Sequence, residues 1–393
     1  MPWQGVSPVD LRLQFITEYL TDHYSMTELA SAYGISRKTA YYWVRQYQRE
    51  GPGRLAGASR RPHQMPRATA EDVVAQLVAA RQRHPTWGAG KLRDWLVARH
   101  PDSAWPCRDT VHAVLTRAGL VRRRRRRRAV APPHHRTAPT APNVEWTVDH
   151  KGAFSAGDGT RMYPLTLRDG FSRFVLRCVA LPTVRTEGTQ AQLARAFAEY
   201  GLPDRIRCDN GAPFGAHALG GLSRLSVWWC RLGILPQFGR PGCPGDNGAH
   251  EQFHAVLKRE TAAPPAASRR AQQRRFDRFI EEYNTERPHD AVDHRPPATR
   301  YTSSPRALPR RLPPLEYPLE WSVRRVRAHG SIKWTGRSLF LSGVLAGQDV
   351  GLQPLDDGVW MLHFAAYPLA VFDERTWQVQ SPAQSPPPQV PGS

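Results

Sequence analysis

The stretch WTVDHKG at residues 146–152 has an acidic residue, Asp149, at the end of a short apolar run that is typical of a β-strand. A second run of this kind, IRCDNG at 206–211, ends in Asp209. Glu251 lies in DNGAHEQFH at 246–254, where a helix is predicted to begin. Carboxylates from two strand ends and one helix can hold two divalent cations, and a pair about 4 Å apart can bind the attacking and leaving oxygens of a phosphodiester. We therefore predict a catalytic, metal-binding triad of Asp149, Asp209 and Glu251, with two ions of Mg²⁺ or Mn²⁺, which prefer oxygen ligands.

The composition indicates a polyanionic partner. The 393 residues carry a formal net charge of +21, which favours double-stranded DNA first and an acidic membrane surface second. We find no apolar run of about 18 residues and no signal-peptide pattern at the start, so we expect no membrane partner and a cytoplasmic, nucleoid-associated protein. A phosphate-binding P-loop motif is absent as well, so no nucleotide cofactor is expected.

Residues 1–55 predict a helix-turn-helix DNA-binding domain. A short helix, a turn at Gly34 and a second helix capped by Ser36 make the pattern, with an ordinary helical hairpin as the alternative. The second helix would present four side chains to DNA: Arg37, Lys38, Thr39 and Tyr42.

A second helical unit is predicted at 66–120, where three apolar stripes recur at helical spacing. It is interpreted as a second helix-turn-helix, with a helical spacer as the alternative. Residues 121–142 form an Arg- and Pro-rich linker. Its unbroken run of arginines should bind phosphates without reading sequence: Arg122, Arg123, Arg124, Arg125, Arg126, Arg127 and Arg128.

The remaining chain predicts a multidomain protein. Strand and helix signals alternate over 143–300, which indicates an α/β sheet of mixed direction compatible with a ribonuclease-H-like catalytic core. Short strands punctuated by glycines at 316–379 predict a small C-terminal β-barrel. Residues 380–393, rich in Pro, Gln and Ser, predict a disordered tail.

The helix that begins near residue 249 carries the third acidic residue. Glu251, His254 and Lys258 fall on one side of it, and the last two are predicted to contact DNA. Asp246 is a rival for the third carboxylate, but it lies just ahead of the helix, where Asp is a good N-cap. We therefore prefer Glu251 as the ligand.

Four segments resemble the insertion-sequence transposases with a retroviral-integrase-type (DDE) catalytic core. They are WTVDHKG at 146–152, DNG at 209–211, PGCPGDNGAHEQFHAVLKRE at 241–260 and YNTERPH at 283–289. The resemblance implies a ribonuclease-H-like fold in which Asp149, Asp209 and Glu251 bind two Mg²⁺. It also implies hydrolytic nicking at the element's terminal inverted repeats, then attack of the freed 3′-hydroxyl on target DNA without a covalent protein–DNA intermediate. Such enzymes work as homo-oligomers on paired ends.

Two departures from the family pattern are visible. The spacing between Asp209 and Glu251 is longer than usual, which predicts an insertion near 215–230, and His150 stands where an aromatic residue often follows the first Asp. Two other functions remain open: a DNA-binding repressor or decayed element protein without catalysis, and a ribonuclease-H-like nuclease, which would not need two helix-turn-helix units.

Overall fold

The computed structural model of the protein describes four stretches of the chain: residues 7–57, 68–121, 138–239 and 248–382. The arginine run at 122–128, Asp246 and most of the predicted tail lie outside these stretches. The chain divides into two compact units, Met1–Thr69 and Ala70–Ser393. No helix in the described stretches has both the length and the apolar character to cross a membrane.

The first unit is a small helical domain. Its residues 7–57 form three helices and a short 3-10 helix: α1 (Pro8–Leu20), α2 (Met26–Ala32), α3 (Arg37–Glu50) and Pro52–Ala56. Serine side chains cap all three helices, as at Ser36, whose hydroxyl accepts the backbone N–H of Thr39 at 3.1 Å. Ala40 and Val44 point inward from α3. The turn between α2 and α3 has Gly34 at φ +62°, a backbone conformation that glycine adopts without strain.

The second unit begins with three more helices: α4 (Glu71–Arg83), α5 (Ala89–Arg99) and α6 (Arg108–Arg117). Their shared core is built from the predicted apolar stripes, with Leu77, Leu92 and Val111 each fully buried. Trp87, from the connection between α4 and α5, fills the same core. This core joins the three helices into one small bundle.

A six-stranded sheet of mixed direction follows. Its strands are β1 (Glu145–His150), β2 (Phe154–Ser155), β3 (Arg161–Asp169), β4 (Val175–Leu181), β5 (Arg205–Cys208) and β6 (Leu235–Phe238). β3 pairs antiparallel with β1, β2 and β4, whereas β1, β5 and β6 run parallel to one another. Antiparallel strands first and parallel strands after them give the mixed α/β sheet that the sequence predicts.

Helices cover both faces of this sheet: α7 (Thr186–Tyr200), α8 (Arg224–Arg231), α9 (Gly248–Thr261) and α10 (Arg269–Thr285). Side chains alternate between the faces along each strand, so Trp146 and Val148 of β1 join the core under α7 and α8. Thr147 and Asp149 therefore belong to the opposite face. The core on that side contains Phe253 of α9, so the acidic end of β1 lies on the face that α9 covers.

The C-terminal strands form two open sheets rather than a closed barrel. They are β7 (Ser322–Arg325), β8 (Ser331–Trp334), β9 (Arg337–Phe340), β10 (Asp349–Asp356), β11 (Val359–Phe364), β12 (Tyr367–Asp373) and β13 (Gln378–Gln380). One sheet has the order β13-β12-β11-β10-β7, and β8 pairs with β9 alone. The predicted barrel is not confirmed, because β7 and β13 form opposite edges and within the described strands do not pair with each other.

The two C-terminal sheets share a hydrophobic core with the catalytic region. Ile332 of β8 and Leu352 of β10 lie in one buried cluster with Leu222, Val227 and Cys230, which come from α8 and the residues just before it. The hydroxyl of Tyr367 also donates to the carbonyl of Gly220 at 2.9 Å. The C-terminal sheets are therefore packed against the region between β5 and β6, where the sequence predicts an insertion.

Candidate active site

Asp149 and Asp209 meet at one edge of the central sheet because their strands are neighbours. β1 and β5 are parallel, with Thr147 opposite Arg207. Two residues further along both strands (147 to 149 and 207 to 209), the same register sets Asp209 beside Asp149. Parallel strands bring their carboxyl ends to the same edge, which is where open α/β sheets bind ligands.

The loop after β5 is held tightly against the end of β6. The side-chain amide of Asn210 donates to the carbonyl of Gly239 at 2.7 Å. A Cβ on Gly215 would come within 2.7 Å of the carbonyl oxygen of Asn210, so this position has room only for glycine. These contacts fix the backbone that carries Asp209.

Glu251 reaches the site from the first turn of α9 and is exposed to solvent. Arg168 of β3 holds this turn in place, since its guanidinium donates to the carbonyl of Ala249 at 2.8 Å and lies over the ring of Phe253 at 4.7 Å. Arg168 is itself buried. The first turn of α9 is thus tied to the sheet beside the two aspartates.

The other two carboxylates both influence the pKa of Asp149. Burial, followed by the negative charge of Asp209, raises the pKa of Asp149 to about 7, and the negative charge of Glu251 acts in the same direction. Burial also raises the pKa of Asp209. The positive charge of Lys151 acts in the opposite direction on Asp149 but does not outweigh burial and the neighbouring carboxylates.

This donor set fits divalent cations. Asp149 lies beside Asp209 and within the electrostatic influence of Glu251, and a bound cation would offset the burial and repulsion that raise the pKa of Asp149. We infer that Asp149, Asp209 and Glu251 would be the oxygen ligands.

Beneath the carboxylates lies a hydrogen-bonded network that sequence reasoning missed. The hydroxyl oxygen of Thr166 is 2.6 Å from Nε2 of His250 and 2.8 Å from Nε2 of His254, and it donates to the backbone carbonyl of Asp149 at 3.1 Å. Nδ1 of His250 is 3.0 Å from the hydroxyl of Thr147. The signal for this network was the spacing of the two histidines, one helical turn apart on the face that also carries Phe253.

His254 does not occupy the position predicted for it. Only 6% of the residue is exposed, and its Nδ1 lies 3.7 Å from Oδ2 of Asp149. It faces the carboxylate rather than solvent because α9 turns His254 toward the sheet together with Phe253 and Leu257. The ring of His254 therefore lies inside the protein, against Asp149 and Thr166.

The other predicted DNA contacts divide into three groups. Arg37, Lys38 and Tyr42 are exposed along α3, whereas Thr39 is half-buried beside the Ser36 cap. Lys258 is exposed on α9 and, with Lys151, lines a cavity of about 210 Å³ beside the segment that follows β1. The arginines at 122–128 lie outside the described residues.

His150 fills the place of the aromatic residue expected after the first Asp. Its ring stacks on Phe214 with centroids 5.4 Å apart, and its Nε2 is 3.1 Å from the hydroxyl of Thr189. Burial lowers the pKa of His150 to about 4. The imidazole is thus neutral near pH 7 and packs as an aromatic ring.

Comparison with protein families gives four matches. Two families described as integrase core domains match residues 139–244 and 232–297. A helix-turn-helix domain family matches 11–63, and a homeodomain-like family matches 39–115. The integrase matches include β1 and α9, the elements that carry Asp149 and Glu251.

Solved structures give weaker likenesses. The HTLV-2 integrase catalytic core domain in complex with magnesium, in its trimeric form, has 14% identity and a TM-score of 0.33, over 41% of this chain and 98% of that one. The simian T-cell lymphotropic virus intasome in complex with PP2A regulatory subunit B56 gamma has 15% identity and a TM-score of 0.38, and the match covers 72% of this chain and 91% of that one. The catalytic core domain of BIV integrase has 19% sequence identity and a TM-score of 0.31, and the match covers 40% of this chain and 93% of that one.

The class of protein follows from the integrase core families and the helix-turn-helix families that precede them. The chain is an enzyme of the integrase and transposase class, with N-terminal helix-turn-helix domains and a ribonuclease-H-like core.

Proposed function

We propose that this protein is the DNA transposase of an insertion element, which binds the element's terminal inverted repeats, nicks the ends and joins them to target DNA. The observation that supports the proposal is the pairing of β1 with β5, which sets Asp149 beside Asp209, together with the negative charge of Glu251 that acts on Asp149 from the first turn of α9. The helix-turn-helix domains ahead of the core supply the means of choosing a DNA site.

In the first step, water attacks the phosphate at the element's end, the bond from phosphorus to the 3′-oxygen breaks, and a free 3′-hydroxyl results. In the second step, that hydroxyl attacks a target phosphate and displaces a target 3′-oxygen, so the number of phosphodiester bonds is conserved. Two divalent cations, Mg²⁺ or Mn²⁺, would supply activation of the attacking oxygen and stabilisation of the leaving one. Asp149, Asp209 and Glu251 would hold them.

The chain's own cationic groups would hold the DNA in register. Lys258 lies on the exposed side of α9 with Glu251, and Lys151 lies across the adjoining cavity, so both can contact phosphates next to the scissile bond. Arg37, Lys38, Thr39 and Tyr42 would contact the inverted repeat from α3. The arginines at 122–128 would add contacts that are independent of sequence. We also propose that the protein acts as a homo-oligomer on two paired ends.

The test is a nicking and joining assay on labelled DNA from the borders of the protein's own locus, with Mg²⁺, Mn²⁺ or EDTA. We expect metal-dependent cuts at a defined border, abolished in Glu251→Gln while border binding stays within about twofold of the parent. Glu187→Gln is the matched control, because Glu187 is also an exposed glutamate in the first turn of a helix, α7.

Two results would overturn the proposal. Border binding without any cut under all metal conditions would favour the non-catalytic repressor or a decayed element. Cutting that ignores the border sequence would favour a ribonuclease-H-like nuclease. Parental nicking by Glu251→Gln would remove Glu251 from the site and return Asp246 to consideration.

A further inference from the structure

The network around Thr166 determines which nitrogen of each histidine carries a proton. A threonine hydroxyl has one proton, and that of Thr166 is donated to the carbonyl of Asp149. The same oxygen lies 2.6 and 2.8 Å from the Nε2 atoms of His250 and His254, and with the Thr166 proton on that carbonyl both imidazoles donate to the oxygen through Nε2–H. Both rings are buried, which favours the neutral form with a single N–H.

Nδ1 of each ring is then left with a lone pair. For His250 that lone pair has a donor, because the hydroxyl of Thr147 lies 3.0 Å away. For His254 the facing group is Oδ2 of Asp149, at 3.7 Å. That separation is too long for a hydrogen bond, and it sets a nitrogen lone pair beside a carboxylate oxygen.

Two acceptors that face one another across such a gap are the arrangement of a metal site. One ligand atom from each of Asp149, His250 and His254 lies within 4.8 Å of the other two, and of the two rings it is His254 whose Nδ1 faces Asp149. A histidine ligand is commonly oriented by a hydrogen bond from its other ring nitrogen, and Thr166 fulfils that role for His254.

We propose that Nδ1 of His254 is a nitrogen ligand to the cation held by Asp149, so that the site binds transition-metal ions more tightly than an all-carboxylate triad would. The proposal rests on the proposed function, in which Asp149 is a metal ligand. Mg²⁺ takes oxygen ligands almost exclusively, whereas Mn²⁺, although it also prefers oxygen, forms a stronger bond to an imidazole nitrogen than Mg²⁺ does, so the nitrogen changes which ion is favoured. His250 has a different role, since it only positions the Thr166 hydroxyl.

The experiment measures Mn²⁺ bound to the full-length protein by pulsed electron paramagnetic resonance, which detects a directly coordinated ¹⁴N nucleus. We expect imidazole nitrogen modulation in the parent, and its replacement by the ¹⁵N pattern when the protein is made with ¹⁵N-histidine. This measurement needs no variant, so it stands even if a substitution prevents folding.

Two variants then assign the nitrogen. His254→Gln keeps a side-chain N–H that can reach Thr166 but removes the Nδ1 lone pair, and His250→Gln makes the same change on the neighbouring ring. We expect His254→Gln to lose the modulation and to weaken Mn²⁺ binding, measured by calorimetry, about tenfold or more, with less than about threefold change for Mg²⁺. His250→Gln should keep the nitrogen signal.

The outcomes separate this proposal from the one on which it rests. Mn²⁺ that binds the parent and is lost in Asp149→Asn, but shows no ¹⁴N modulation, would overturn the role of His254 and leave the carboxylate site intact. A nitrogen signal retained in His254→Gln would also overturn it. Mn²⁺ binding that survives Asp149→Asn unchanged would instead contradict the proposed site itself.

Discussion

Asp149→Asn should make the metal-free protein progressively more stable than the parent as pH rises. Because folding raises the pKa of Asp149, the folded state retains its proton at pH values where the unfolded chain has already lost it. The stability that this carboxyl contributes is therefore fully present below its ordinary pKa and is lost as pH rises through the folded value. Asparagine does not titrate, so the variant does not lose this stability as pH rises.

The magnitude follows from the two pKa values. The span from 3.8 to about 7 corresponds, at about 1.36 kcal/mol for each pH unit, to at most about 4 kcal/mol. The side chain of Asp149 is 21% exposed, so solvent screening lowers this ceiling only in part. The advantage of the variant should grow between about pH 4 and pH 7 and then level off.

Urea unfolding in EDTA, at several pH values between about 5 and 8, measures the free energy of unfolding of both proteins, and their difference cancels groups that titrate alike in each. Asp158→Asn is the control, because Asp158 is an exposed carboxyl whose pKa is lowered by the hydroxyl and backbone N–H of Thr160. The free energy of unfolding of Asp158→Asn, plotted against pH, should run parallel to that of the parent over this range. A parallel curve for Asp149→Asn as well would refute the argument that burial and neighbouring charges oppose ionisation at this site.

Two further substitutions test other parts of the molecule. Arg287→Met should lower the free energy of unfolding at pH 7 by about 2 kcal/mol, because the buried guanidinium donates to Glu260 at 2.7 Å and its loss leaves that carboxylate with only the Thr86 hydroxyl and the more distant Arg259; an unchanged urea midpoint would contradict this. Lys38→Ala should weaken binding to border and unrelated DNA alike. The slope of the logarithm of the binding constant against the logarithm of salt concentration should become shallower by about one. Fluorescence anisotropy at several salt concentrations measures both, and a loss confined to border DNA would contradict a phosphate contact.

The sequence identified those parts of the site that depend on local pattern. Apolar runs that end in Asp149 and Asp209 predicted two strand ends, and the sheet order then made those strands neighbours. The amphipathic helix that carries Glu251 was also predicted, with its start within a residue of that observed. Strand alternation and helical period are properties of short segments, so a sequence can reveal them.

The direction of His254 could not be read in the same way. On a helical projection it lies about 60° from Glu251 and about 60° from Leu257, so the period alone assigns it to neither the exposed nor the buried face. The hydroxyl of Thr166 decides the matter, and that residue is far away in the sequence. The prediction of a closed C-terminal barrel was not confirmed for a related reason. Closure depends on pairing between edge strands that are far apart in the sequence, and local pattern does not reveal such pairing.

The buried cluster shared by α8 and the C-terminal sheets limits how this enzyme can be divided. Leu222, Val227 and Cys230 each have less than a tenth of their surface exposed, and strands β8 and β10 help to cover them. A fragment that ends at residue 300 would expose this hydrophobic surface to solvent and should aggregate. The catalytic region can therefore be fused to another DNA-binding domain only if the C-terminal sheets are kept with it.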